Sequence, residues 1–186
     1  MKRENAEKMG FATKAIHAGV AKNAFGALAT PIYQTSTFIF DSAEQGGNRF
    51  ALKEEGYIYS RLGNPTCTVA EEKVAVLEGA EAAMSAASGM GAISAALWTA
   101  LKAGDHIVAA ETLYGCTFAL LNHGLTRYGV DVTFVDTADL DAVAKAMKPN
   151  TTVVYLETPA NTTSKLRAIK AVSDIAHKVP GCMAMV

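Results

Sequence analysis

Cysteine is scarce in this sequence and unpaired. Cys67, Cys116 and Cys182 are odd in number and far apart, with no C-x-x-C pair and none of the four histidines at a ligand-like spacing from them. They support neither a disulfide framework nor a zinc site. An excess of one charge sign is lacking too: 17 basic and 18 acidic residues, well mixed, leave a formal charge of -1. No field of that size draws nucleic acid or an anionic membrane. No apolar run reaches the roughly 20 residues a membrane span needs. The start, "MKRENAEKMGFATKAIHAG", lacks the apolar core of a signal peptide. The expected location is the cytoplasm, and the expected partners are small molecules or other protein chains.

What is present is apolar. Half of the 186 residues are hydrophobic, enough to bury a sizeable core. Residues 1–63 are turn-rich and short of long periodic segments, with "TPIYQTSTFIF" the one convincing extended stretch; they read as an arm. From residue 64 to 186 the pattern changes. A helix is expected over Thr66–Leu77, followed by short apolar runs alternating with amphipathic segments, the rhythm of βαβ units. Strands are expected at Ala82–Ser88, His106–Ala110, Val132–Val135, Thr152–Glu157 and Met183–Val186. Right-handed crossovers make such a sheet mostly parallel, with helices on both faces and ligands at the carboxyl ends of the strands.

Four segments fall where chemistry is expected. "SGMGAISAALWTAL" turns tightly through Ser88, Gly89, Met90 and Gly91 into a helix. Such a turn aims free backbone N–H groups and a positive dipole end outward and suits a phosphate, although close packing alone also explains the glycines. Gly89-x-Gly91 with Glu111 further on imitates a dinucleotide fingerprint, but Ser94 stands at the third glycine position. "ETLYGCTFALL" puts Tyr114 and Cys116 just after a strand, where an aromatic can stack on a planar cofactor or simply pack. In "LETPANTTSKL", Glu157 and Asn161 flank Pro159 at the same sheet edge, as cofactor partners or as turn caps. "GYIYSRLGNPT" supplies Tyr59 and Arg61, a phosphate clamp or a surface pair.

Taken together and in order, "YSRLGNPT", "ASGMGAI", "TLYGCT" and "LETPAN" resemble the blocks of the Cys/Met-metabolism family of pyridoxal-phosphate enzymes, from "GFATKAIHAG" to the end of the chain. The resemblance implies an α/β chain: an N-terminal extended arm plus the first part of a fold type I large domain. It also implies pyridoxal 5'-phosphate as cofactor, with Ser88 and the backbone of Gly89 and Met90 at its phosphate. Tyr59 and Arg61 would reach that phosphate from a neighbouring subunit. Tyr114 would lie against the ring and serve as acid/base at the leaving group, Asn161 would bond the ring hydroxyl, and Glu157 would support that wall. A shared site implies a homo-oligomer, commonly a tetramer of catalytic dimers. Cystathionine-processing relatives usually have glycine where Cys116 stands. "YGCT" therefore implies α,γ-elimination of L-methionine, with cystathionine or acylated homoserine as the alternative substrates and a non-catalytic dinucleotide module as the alternative of another kind.

Two features depart from the family pattern. Thr162 occupies a position that is often proline. In the family, an Asp that pairs with the pyridinium nitrogen and the Schiff-base lysine both follow the strand represented by "MAMV", beyond Val186. The resemblance therefore implies a truncated large domain, inactive alone, since the one lysine in a similar Ser/Thr context, Lys165, is expected to be exposed.

Overall fold

The computed structural model describes residues 8–20, 22–161 and 163–186, so the first seven residues and Ala21 of the arm, and Thr162, lie outside the described residues. By their contacts these residues form two compact units, divided between Ser85 and Ala86.

In the first unit, helix α1 (Phe11–His17) and helix α2 (Ala43–Phe50) precede the longer helix α3 (Pro65–Glu78). The start of α3 is dictated locally. Asn64 caps it by accepting from the Thr66 N–H at 2.9 Å, and Pro65 opens the first turn with its fixed φ. Gly79, at φ 65°, ends it in the left-handed conformation that glycine adopts without penalty. The Thr66 hydroxyl accepts from Tyr33 N–H and donates to the Pro31 carbonyl, which ties the extended stretch 30–40 to the head of α3. That stretch makes one antiparallel bridge, Thr37 to Tyr59. Lys73 donates to the Ala15 and Ile16 carbonyls, a cation placed at the negative end of α1.

The second unit carries the sheet. Helix α4 (Gly89–Ala100) leads to strand β1 (His106–Ala110), then α5 (Gly115–Ala119), which runs on through a π-helical turn (Leu120–Gly124) and a 3-10 turn (Leu125–Tyr128). Strand β2 (Asp131–Val135), helix α6 (Leu140–Ala146), strand β3 (Thr151–Tyr155), helix α7 (Ile169–Ala176) and strand β4 (Met183–Met185) follow. The order is β2-β1-β3-β4 and every pair is parallel. Strand β1, central and wholly buried, shows why a continuous apolar run is required: its two faces supply two cores. Ile107 and Ala109 pack with Leu97, Leu121, Leu125 and Val153, while Val108 and Ala110 pack with Val143, Val154, Leu156 and Val172. Each buried aliphatic side chain contributes roughly 1.5–3 kcal/mol.

The expected parallel sheet with helices on both faces is present. One expected strand is not: among the described residues, Ala82–Ser88 forms no strand and joins no sheet. Its residues are largely exposed, and Glu71 holds Ser85 through both N–H and hydroxyl, at 2.8 and 2.7 Å. Two short helices in the arm, α1 and α2, were not anticipated by its turn-rich sequence. Among the described residues no helix is long and apolar enough to cross a membrane.

Candidate active site at the strand ends

The carboxyl ends of β1, β2 and β3 carry the polar residues that the sheet itself excludes. Beyond β1 the chain reaches Tyr114, which precedes α5 and leaves its side chain 45% exposed. Beyond β3 it reaches Glu157, whose carboxylate accepts the Tyr114 backbone N–H at 2.8 Å. This bond fixes one strand-end loop against the other. Asn161 follows in the same loop with its side chain exposed, after the cis peptide Thr158-Pro159. The loop closes on itself through Ala160 N–H to the Lys165 carbonyl at 2.8 Å and Ser164 N–H to the Ala160 carbonyl at 2.9 Å.

Ser88 caps α4 by accepting from Gly91 N–H at 3.0 Å. The N–H groups of Gly89 and Met90 donate to nothing among the described residues, and a Cβ on Gly89 would meet no atom within 4 Å. The head of this twelve-residue helix thus presents two amide donors and a dipole end to open space. A contact that sequence reasoning missed joins it to the Tyr114 loop: the buried Thr117 hydroxyl faces Met90 Sδ at 3.8 Å. Thr117 also bonds the phenol of Tyr155, whose pKa is raised by burial first and by the charge of Glu157 second, with the Thr117 bond opposing. Its position three residues after Tyr114, on the inner face of α5, was the available signal.

The Tyr114 phenol is held above its usual range, first by a hydrogen bond with the Cys116 side chain and then by charge on that sulfur. Cys116 itself is exposed. Lysines stand elsewhere in this unit: Lys148 pairs with Asp131, Lys170 pairs with Asp174, and Lys165 is exposed.

In the first unit, Tyr59 and Arg61 form a cation–π pair, with the guanidinium carbon 5.2 Å from the ring centroid. Arg61 makes no hydrogen bond or ion pair among the described residues, so its fork of donors is available. The structure thus brings together Ser88, Gly89, Met90, Tyr114, Cys116 and Glu157 in the second unit, with Asn161 in the adjoining loop. Tyr59 and Arg61 pair separately in the first.

The sequence profile of the family described as "Cys/Met metabolism PLP-dependent enzyme" matches residues 12–186. The chain belongs to this family. It is 70% identical over 177 residues to an L-methionine gamma-lyase of Treponema denticola, covering 95% of this chain and 44% of that protein. It is 66% identical over 186 residues to an L-methionine gamma-lyase of Porphyromonas gingivalis, covering 100% of this chain and 47% of that protein. Among solved structures, a putative O-acetylhomoserine (thiol)-lyase of Campylobacter jejuni, described with a pyridoxyl-lysine monophosphate, aligns with TM-score 0.89 at 31% identity, covering 95% of this chain and 44% of that one. The chain therefore spans a little under half the length of the curated relatives it matches. Its fold is that of the type I pyridoxal-phosphate enzymes, and pyridoxal 5'-phosphate is the cofactor of its family.

The residues present fit that cofactor. Free amides at the head of α4 suit a phosphate, and the half-exposed Tyr114 ring beside a carboxylate-anchored loop suits a planar heterocycle.

Proposed function

We propose that this chain is the arm and the first part of the cofactor domain of an L-methionine gamma-lyase, which converts L-methionine to methanethiol, 2-oxobutanoate and ammonia. The observation that carries the reading is the 70% identity, over 95% of the chain, to a relative bearing that name. The cofactor, when bound, would supply the electron sink for the α,γ-elimination. Ser88 and the amides of Gly89 and Met90 hold its phosphate. Tyr59 and Arg61, from the arm formed by residues 1–63, reach the same phosphate from a neighbouring subunit, in a tetramer of catalytic dimers. Residues 64–186 line the ring: Tyr114 covers it, Asn161 bonds its hydroxyl, and Glu157 anchors the wall.

Tyr114 also carries the proton. A phenol is protonated at neutral pH, so Oη can donate to the departing sulfur, and Cys116 stands two residues away in the same turn. Free thiols at Cys67, Cys116 and Cys182 accord with a reducing, cytoplasmic setting. Lys148 and Lys170 pair with carboxylates and Lys165 is exposed, and the 186 residues alone are proposed to be inactive.

The test is a product assay on the complete protein loaded with pyridoxal 5'-phosphate, alongside the 186-residue chain. L-Methionine should yield 2-oxobutanoate and methanethiol from the complete protein only, and Tyr114→Phe should lower kcat by roughly 10²- to 10⁴-fold. Faster turnover of L-cystathionine, or of O-acetyl-L-homoserine with sulfide, would replace the substrate assignment. Product from the 186-residue chain would overturn its inactivity.

A further inference from the structure

Arg167 has no role in the site described so far, yet it is among the few charged groups the fold buries, with its side chain only 2% exposed. Its Nε donates to Thr137 Oγ1 at 3.0 Å, and its Nη2 donates to Thr112 Oγ1 at 3.0 Å. The nearest carboxylate oxygen, Asp136 Oδ1, lies 3.4 Å from Nη2 and belongs to a half-exposed side chain. Nη1 reaches the Leu166 carbonyl at 3.4 Å, and the Arg167 backbone N–H donates to Thr158 Oγ1 at 3.0 Å. A buried guanidinium costs several kcal/mol in lost hydration, and neutral hydroxyls with one loose carboxylate offset that only in part.

The partners share one place in the fold. Thr112 lies just beyond β1, two residues before Tyr114. Asp136 and Thr137 lie just beyond β2, and Thr158 directly follows Glu157 beyond β3. One residue therefore joins all three strand ends at the edge where the site stands. The Glu157–Tyr114 bond spans two of the same loops. We propose that Arg167 is a positioning residue that sets the Tyr114 loop and the Glu157–Asn161 loop in register through Thr112, Thr137 and Thr158. This rests on the reading of these loops as the wall of the cofactor and substrate site. A lysine cannot replace the fork, since one ammonium does not reproduce two donors in a fixed plane.

The experiment compares Arg167→Met, Arg167→Lys and Thr112→Val in the complete protein. Amide hydrogen exchange is followed with the cofactor removed, and steady-state kinetics with L-methionine after reloading. Loss of a hydrogen bond to a charged group should speed exchange roughly tenfold or more in 112–115 and 157–161 together in Arg167→Met, while the β1 and β3 amides stay protected. Arg167→Lys should fall between wild type and Arg167→Met. With substrate, kcat should drop about tenfold, and cofactor affinity should weaken by less than kcat falls, because the phosphate contacts at the head of α4 are untouched while the ring contacts loosen. Faster exchange confined to 164–170, or a rise spread evenly over the unit, would overturn the proposal. If Arg167→Met does not fold, Thr112→Val decides: it should loosen 112–115 and slow kcat, and unchanged exchange there refutes the coupling. Absence of L-methionine turnover in the wild type would refute the functional reading, while the exchange pattern would still decide the role of Arg167.

Discussion

His106 shows how far a single residue's environment departs from what its type suggests. It opens β1, is fully buried, and bonds Thr151 through Nδ1 and Thr133 through Nε2, both at 2.8 Å. Its pKa is lowered, first by burial and then by Lys148, with Asp131 opposing. The neutral ring is thus the native form. An unfolded histidine takes up its proton near pH 6.5 and the native one only at lower pH, so across that interval the unfolded state binds more protons. The contribution is present above about pH 6.5 and is lost as pH falls toward the native value. The urea midpoint should therefore decline from pH 7.5 to pH 5, and His106→Gln should flatten that decline. An equally steep decline in the variant would assign the effect to other groups.

At the scale of elements, the head of α4 is where the fold and the proposed phosphate site coincide. Ser88→Ala should cost about 1 kcal/mol, because it removes the cap on Gly91 N–H. A methyl on Gly91 would sit 3.1 Å from Ser88 Oγ and push it by a few tenths of an ångström against the same bond, whereas one on Gly89 meets nothing within 4 Å. Urea unfolding should therefore leave Gly91→Ala about 1 kcal/mol less stable than Gly89→Ala, and Ser88→Ala with Gly91→Ala should be less than additive, since both act on one bond. Elements with local signals were legible in the sequence. Asn64, Pro65 and Gly79 bracket α3, and the run His106–Ala110 reads directly as a buried strand. Helix α2 was not, because Gly46 and Gly47 weaken its helical pattern, although Ser42 accepting from Gln45 N–H was a usable cap signal. The Ala82–Ser88 segment has strand composition, but strand pairing depends on a partner that composition does not show. The same limit applies to the site. Glu157 could be found because it directly follows an apolar run and Tyr114 because it lies in the short segment after one, whereas Arg167 meets Thr112 and Thr137 across 55 and 30 positions of sequence.

For the whole molecule, the proposed reading has Tyr59 and Arg61 act on the same phosphate as the head of α4, from a neighbouring subunit. Arg61 stacks on Tyr59 with its donors free, and the head of α4 presents amides with nothing bound to them. Neither cluster alone neutralises a phosphate dianion: one brings the cation and the other the oriented dipoles. If the two come from different subunits, damage to them should complement. Arg61→Ala and Tyr114→Phe proteins, each nearly inactive, should regain activity when dissociated together and reassembled. Half of the randomly formed pairs are mixed, and each mixed pair holds one site free of both changes, so recovery should approach about a quarter of wild-type activity. Recovery at that level requires a site built from two subunits. Activity no higher than the two parents' sum would place the arm's clamp and Tyr114 on the same chain's site.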